Sequence, residues 1–223
     1  SYKQIEAMAK GKGIFITFEG PEGAGKTTQI KLLKNYFEKQ GRHCAMTREP
    51  GGTALAETLR DILKHHTGDE PVYDETELLL FAASRAQHVR NLIMPETKAG
   101  NIVLCDRFYD STTAYQGYAR GMNLDFINKL NHFAVCGCEP DMTILMDLPP
   151  EKGFERTATR QETLLKEDRI ESEAIEFHQA VRNGFLQIAK NEPDRVKVVP
   201  ADRDIENIHN NIVELVNNAF GPF

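Results

Sequence analysis

The stretch that most constrains this chain is Gly20-Pro-Glu-Gly-Ala-Gly-Lys-Thr-Thr28, which follows the apolar run Ile14-Phe-Ile-Thr-Phe18. It fits the template Gly-x4-Gly-Lys-[Ser/Thr], with Gly20, Gly25, Lys26 and Thr27 in the fixed places. Glycines let the backbone curl until successive N–H groups point inward at phosphate oxygens. A helix starting near Lys26 adds its positive end to the same concavity. The flanks separate this from a chance glycine-rich turn: a strand-like run precedes it, and Thr28 to Phe37 has helical apolar spacing. The expected ligand is a nucleoside triphosphate. Lys26 would reach its β- and γ-phosphates, and the Thr27 hydroxyl would sit on Mg²⁺.

At 223 residues the chain has the size of one large α/β domain or two small ones, enough to bury a core without staples. A formal charge of −6 argues against general affinity for nucleic acid. No apolar run approaches the ~20 residues that cross a bilayer, and Ser1 to Lys12 lacks the apolar segment of a secretion signal. Residues 1–12 read as an N-terminal tail or as a short helix packed through Ile5 and Met8. Cys44 and Cys105 fall in strand-like runs, where a thiol is a small buried hydrophobe. Cys136 and Cys138, near His132, have no second Cys/His pair at zinc-site spacing. A reduced, cytoplasmic protein is the simpler expectation.

Strands and helices alternate along the chain. Strands are expected at Ile14 to Glu19, His43 to Thr47, Asn101 to Asp106, Met142 to Asp147 and Val196 to Val199. Helices are expected at Lys26 to Gln40, ended by Gly41, and at Thr53 to His65. A long helix capped by Asp74 should run to about Met94 and stop before Pro95. Further helices are expected at Asn123 to Cys136, from Pro150, up to Asn191, and from Ile205 to Ala219. With no repeat or linker, residues 13–223 read as one α/β domain of three layers, a parallel sheet with helices on both faces. Ligands should gather at the carboxyl ends of the strands.

Glu19, Arg48, Asp106 and Asp147 all stand at or just past strand ends. Asp106 or Asp147 could supply the carboxylate that accompanies Thr27 on the metal, and the strand pattern alone does not choose. Asp106 is favoured because Arg107 follows it at once. On the helix after Asp74, Phe81 and Arg85 share a face at i and i+4. An aromatic ring there can stack on a base and a guanidinium can donate to its carbonyl, although spacing alone makes Phe81 an ordinary core residue.

Six blocks in order resemble the bacterial thymidylate kinases: Gly20 to Thr28, Arg48-Glu-Pro-Gly-Gly-Thr53, Leu80-Phe-Ala-Ala-Ser-Arg85, Asp106-Arg107, Ser111-Thr-Thr-Ala-Tyr-Gln-Gly117 and Asp168-Arg-Ile-Glu171. The resemblance implies a P-loop kinase fold with five parallel strands, a homodimer, and transfer of the ATP γ-phosphate to dTMP, giving dTDP and ADP. It puts Gly20, Gly23, Ala24, Gly25, Lys26, Thr27 and Thr28 on ATP, and Thr27 with Asp106 on Mg²⁺. It puts Glu22, Arg48, Phe81, Arg85, Asp106, Arg107, Ser111, Thr112, Tyr115 and Gln116 around dTMP. Arg48 and Arg107 would clamp its phosphate, Phe81 would stack on thymine, Arg85 would donate to O4, and Tyr115 would disfavour a 2′-hydroxyl. The phosphate loop carries no arginine, since Pro21, Glu22, Gly23 and Ala24 fill its variable places. Charge on the moving phosphoryl group would then be met by Lys26, Mg²⁺ and a short lid at about residues 156–172, through Arg160 or Arg156, with Arg169 holding the lid by ion pairing; Arg107 is counted with them as catalytic. The chain departs from the family pattern at Ala158 and Phe108, and in the length of Gln161 to Glu167. A kinase for another nucleotide or for a deoxynucleoside is the alternative activity. A GTPase-type switch would want Asn-Lys-x-Asp, and Asn128-Lys-Leu-Asn131 lacks the acid.

Overall fold

Strand β1 (Ile14–Glu19) is buried from Phe15 to Glu19 because it is the middle strand of the sheet. The computed structural model describes residues 1–8, 13–161 and 168–223, without the side chains of 6–8 and 159–161. The five strands are β1, β2 (Cys44–Arg48), β3 (Ile102–Asp106), β4 (Met142–Asp147) and β5 (Val196–Pro200), all parallel in the order β2-β3-β1-β4-β5. β3 and β4 are buried almost throughout, as a sheet covered on both faces demands. The edge strands differ from that expectation. β2 and β5 are only partly buried, with exposed Met46 and Val198, because no neighbour covers their outer side.

Helices α2 (Lys26–Lys39) and α10 (Ile205–Phe220) cover one face, closing Phe18, Leu33, Phe37, Leu104, Ile144 and Ile212 into one core. The other face is covered by α4 (Asp74–His88) with its continuation, by α7 (Leu124–Val135) and by α9 (Ile175–Asn191). Helix α3 (Ala54–His65) packs on α4. All four cysteines are free and buried, and burial pushes the Cys44 and Cys138 thiols up to about 12. Among the described residues no His, Cys, Asp and Glu group of metal-binding type occurs, and no helix is long and apolar enough to cross a membrane.

One open choice is decided and two local expectations need correction. Of the tail and the short packed helix left open for the N-terminal stretch, its start is the helix, α1 (Tyr2–Met8), whose Tyr2 and Ile5 pack on the core beside Cys136 while the Tyr2 hydroxyl donates to the Phe133 carbonyl at 2.6 Å. Asp74 is the first residue of α4 and not its cap, which is Tyr73; with Glu75 and Glu77 it places negative charge where the helix dipole favours it. The helix does not stop before Pro95. It widens into a π-helical turn at Val89–Ile93 and resumes as α5 (Met94–Lys98), where Pro95 sits in a first turn that does not need its N–H. The sequence also hid a helix over α6 (Tyr109–Thr112) and the π-helical segment Thr113–Ala119.

Candidate active site

The register brings the strand-end residues to one rim: Phe18 lies opposite Asp106, Arg48 opposite Asp106, and Glu19 opposite Leu145. From β1 the chain enters the phosphate loop, where Gly23 has a φ of 81°. A Cβ on Gly23 would meet the Gly153 carbonyl oxygen at 2.6 Å, so helix α8 (Pro150–Gln161) can press on the loop only because the residue is glycine. Gly20 and Gly25 also have positive φ, Gly25 as the residue that opens α2, and Ala24 is buried. Lys26 is 5% exposed, and its Nζ donates to the carbonyls of Gly20 at 3.2 Å and Pro21 at 3.0 Å. Thr28 lies in the first turn of α2.

The two acids differ in their partners. Asp147 is held by both of its oxygens, each 2.9 Å from the Arg182 guanidinium of α9. The Thr27 hydroxyl donates to Asp106 Oδ2 at 3.4 Å. Thr27 and Asp106 share the wall of a cavity of about 480 Å³ with Thr47, Arg48, Gly52 and Glu57. Arg48 is half-exposed there and pairs with Glu57 at 3.0 Å. Arg60, which sequence reasoning passed over, lies one turn beyond Glu57 and donates to the Pro50 carbonyl at 2.8 Å. Burial and the charge of Arg48 depress its pKa, so this corner of the site holds cations that repel each other.

Arg107 stands at the far side of Asp106 with a φ of 69°, unusual for a side chain of its size. Its N–H donates to the Phe18 carbonyl at 2.8 Å. Its guanidinium donates to Ser111 Oγ and to Glu22 Oε1, each at 3.2 Å, and lies 5.6 Å from the centre of the Tyr115 ring. The charge of Lys26, against burial and with help from Arg107, holds the Glu22 carboxyl well below the usual range. Arg107, Glu22, Ser111 and Tyr115 therefore lie together, whereas Arg48 pairs with a separate carboxylate, Glu57.

Glu19 anchors the turn that carries Arg107. Its carboxylate accepts from the Phe108 N–H at 2.7 Å, from the Ser111 N–H at 3.2 Å and from the Ser111 hydroxyl. Burial, and then the charge of Asp110, push the Glu19 carboxyl up to about 7 from 4.5. An unfolded chain gives up this proton near 4.5, while the folded chain keeps it to about 7. The native state thus binds more protons across that window, and this group lowers stability as pH rises through it. Glu19→Gln is therefore expected to gain in melting temperature on the parent between pH 4.5 and 7, and to hold that gain above 7. A difference in melting temperature that does not change with pH would refute this.

Glu77, Phe81 and Arg85 form one stripe along α4. Arg85 is 2% exposed; Nε donates to Glu49 Oε1 at 2.7 Å, Nη2 to Thr112 Oγ1 at 3.1 Å and Nη1 to Asn131 Oδ1 at 3.4 Å. These bonds use three of the five N–H groups of a guanidinium. His88 donates to the other oxygen of Glu49 at 2.7 Å and faces the Thr47 hydroxyl through its second nitrogen. Gly52, with a φ of 93°, lets the loop after β2 come this close; a Cβ there would lie 2.4 Å from the His88 ring. Phe81 is half-buried against the cluster of Tyr115 and Phe185. Thr112 and Gln116 are buried on the facing segment.

On the lid side, Arg156 donates to the carbonyls of Gly23 and Ala201, each at 3.1 Å. Arg169 donates to Glu77 Oε2 at 2.7 Å and to the Leu63 carbonyl at 3.0 Å, and Asp168 pairs with Lys64 of α3. The side chain of Arg160 and residues 162–167 lie outside the described residues. Asn128 to Asn131 lies within α7, away from any strand end.

The family model described as thymidylate kinase matches residues 18–212. A thymidylate kinase of Bacillus cytotoxicus is 44% identical over 209 residues, 93% of this chain and 98% of the relative. One of a Synechococcus species is 50% identical over 188 residues, 84% of this chain and 86% of the relative. Among solved structures, the thymidylate kinase of Ehrlichia chaffeensis superposes with a TM-score of 0.71 at 36% identity, over 92% of this chain and 98% of that one. On sequence and fold together, this chain belongs to the thymidylate kinase family.

Proposed function

We propose that the rim around Lys26, Asp106 and Arg107 transfers the γ-phosphoryl group of ATP to dTMP, giving dTDP and ADP. The observation that carries this reading is the meeting of the phosphate loop with Arg107 through Glu22, which sets a donor-phosphate cradle beside a guanidinium whose ion-pair partner belongs to that same loop. The loop from Gly20 to Thr28 holds the triphosphate by backbone N–H groups, with Gly23 and Ala24 at its turn and Lys26 swinging from its two carbonyls to the β- and γ-phosphates. The Thr27 hydroxyl and the Asp106 carboxylate are hard oxygen donors 3.4 Å apart, a set that suits Mg²⁺. Bound there, the ion would neutralise charge on the phosphates.

The acceptor phosphate oxygen is already an anion, so the chain needs no covalent nucleophile and acts by positioning and by charge. Arg107, with Arg48 from across the rim, holds the acceptor phosphate, and Ser111 and Glu19 hold Arg107. Phe81 takes the base, Arg85 and Thr112 its carbonyl edge, and Tyr115 packs under the sugar. Arg156 and Arg160 serve the lid, Arg156 by reaching the phosphate loop at Gly23 and Arg169 by its ion pair with Glu77. In a coupled ADP-release assay over a panel of monophosphates, dTMP should be the best acceptor and dUMP about 10–200-fold poorer in kcat/KM, the value of one methyl group in an apolar pocket. Preference for a purine monophosphate, or for a nucleoside without a phosphate, would defeat this reading.

The protein is also proposed to be a cytoplasmic homodimer. The contact is assigned to α4, whose Leu79 is exposed, with Leu55 and Ile62 of α3 and Phe126 and Phe133 of α7 exposed on the helices packed beside it. A one-chain mass in sedimentation would end that assignment.

A further inference from the structure

Glu77 is 1% exposed and has no part in the phosphate chemistry above. A carboxylate so buried is costly unless its lone pairs are filled. Here they are filled by three side chains from two parts of the chain. Oε1 accepts from Gln116 Nε2 at 2.7 Å and from Arg120 Nε at 3.3 Å. Oε2 accepts from Arg169 Nη2 at 2.7 Å and from Arg120 Nη2 at 3.3 Å. Burial pushes the Glu77 carboxyl up, but the hydrogen bonds from Gln116, Arg120 and Arg169 outweigh it and leave the group below its ordinary range, ionised at neutral pH.

An ionised carboxylate can only accept. Gln116 must therefore present its NH₂ to Glu77, which settles the orientation of an amide whose two ends are otherwise interchangeable. Its oxygen, Oε1, is turned away from Glu77, is fully buried, and accepts from nothing among the described residues. A buried acceptor without a donor is unfavourable and marks a place where a ligand donor is expected. The neighbours say which donor. Glu77 to Gln116 and Arg85 to Thr112 are two bridges between α4 and the segment from Tyr109 to Ala119, and Phe81 lies between them on α4. A ring stacked on Phe81 would find guanidinium donors from Arg85 and one amide acceptor from Gln116. A 4-oxo pyrimidine presents the complement, since its O4 accepts and its N3–H donates, whereas cytosine presents an amine and an unprotonated N3.

We infer that Glu77 is a positioning residue for acceptor choice: by holding the Gln116 NH₂ it leaves Oε1 as a fixed acceptor for the N3–H of a 4-oxo pyrimidine, and so excludes cytosine. This rests on the reading of Phe81 and Arg85 as the base site. Through Arg169, the same carboxylate ties the segment from Asp168 to Glu171 to that site.

The test is Glu77→Gln, whose amide can either donate or accept and so releases the orientation of Gln116. The expected result is a fall of at least ~10-fold in the ratio of kcat/KM for dTMP over dCMP, seen as a rise in KM for dTMP with kcat little changed. In a Gln116→Leu background the same substitution should leave the ratio unmoved, because the group it orients is gone. A lower melting temperature with the parental dTMP-to-dCMP ratio would make Glu77 purely structural and overturn the inference. Should Glu77→Gln fail to fold, N3-methyl-dTMP decides on the unaltered protein. It should bind at least ~10²-fold more weakly than dTMP, and equal binding would overturn the inference. If dTMP were not an acceptor at all, the proposed function would fall first; if dTMP stays the best acceptor while the ratio does not move, only the role of Glu77 falls.

Discussion

Lys26→Ala is expected to lower kcat by at least ~10³ while the chain stays folded, because one preorganised charge aimed at a transferring phosphoryl group is worth that much. The fold should survive for a reason visible in the structure. Lys26 is buried, but among the described residues its ammonium donates to the carbonyls of Gly20 and Pro21 and its charge acts on Glu22, all in the same loop and none of them in the apolar core. Those two hydrogen bonds each contribute about 0.5–1.5 kcal/mol net, so the melting temperature should fall by only a few degrees in a chain of this size. Lysine at this place works as a point charge on a flexible stem, and Lys26→Arg should rescue poorly since a planar fork does not fit the same turn. Turnover and melting temperature measured side by side check this. A variant with normal kcat would remove the phosphate loop from the mechanism.

Replacing Arg107 should lower kcat/KM for dTMP by about 10²–10³, mostly through the acceptor. The backbone at Arg107 adds a second, separable effect. Its φ of 69° is left-handed, a conformation that costs an L-residue roughly 1–2 kcal/mol and costs glycine almost nothing. Arg107→Ala keeps that strain and loses the bonds to Glu22 and Ser111, whereas Arg107→Gly loses the same bonds and is relieved of it. Both variants should be equally inactive, and the glycine variant should melt several degrees higher. Equal melting temperatures would show that the turn is not strained. Activity retained in either would show that the acceptor phosphate is held elsewhere.

Glu19, Arg48, Asp106 and Asp147 were recognisable in the sequence as strand-end residues, because a parallel sheet covered on both faces leaves apolar runs that stop abruptly at polar residues. The phosphate loop was recognisable for a similar reason: glycine, lysine and threonine at fixed spacing satisfy a local backbone requirement that few other sequences meet. Where the reading rested on local rules it held, as it did for all five strands and for α2, α3, α7, α9 and α10 within a residue or two of their ends. The region from Tyr109 to Ala119 did not announce itself, since serine, threonine and glycine are weak helix formers. Its helical shape comes from packing on α9 and from Glu19 accepting the Phe108 and Ser111 N–H groups.

The sequence by itself therefore determined the triphosphate cradle, the parallel sheet and the rim on which ligands gather, all of them set by residues near one another in the chain. Tertiary structure alone decided what each charged group on that rim is free to do. Asp147 is claimed by Arg182, 35 residues on, which leaves Asp106 beside Thr27. Arg85 is braced by Glu49, Thr112 and Asn131 from three other segments, and the amide of Gln116 is turned by Glu77 from 39 residues back. The physical reason is that a charge or an amide gains its direction from the partners that desolvate and bond it, and those partners come together only when the chain has folded.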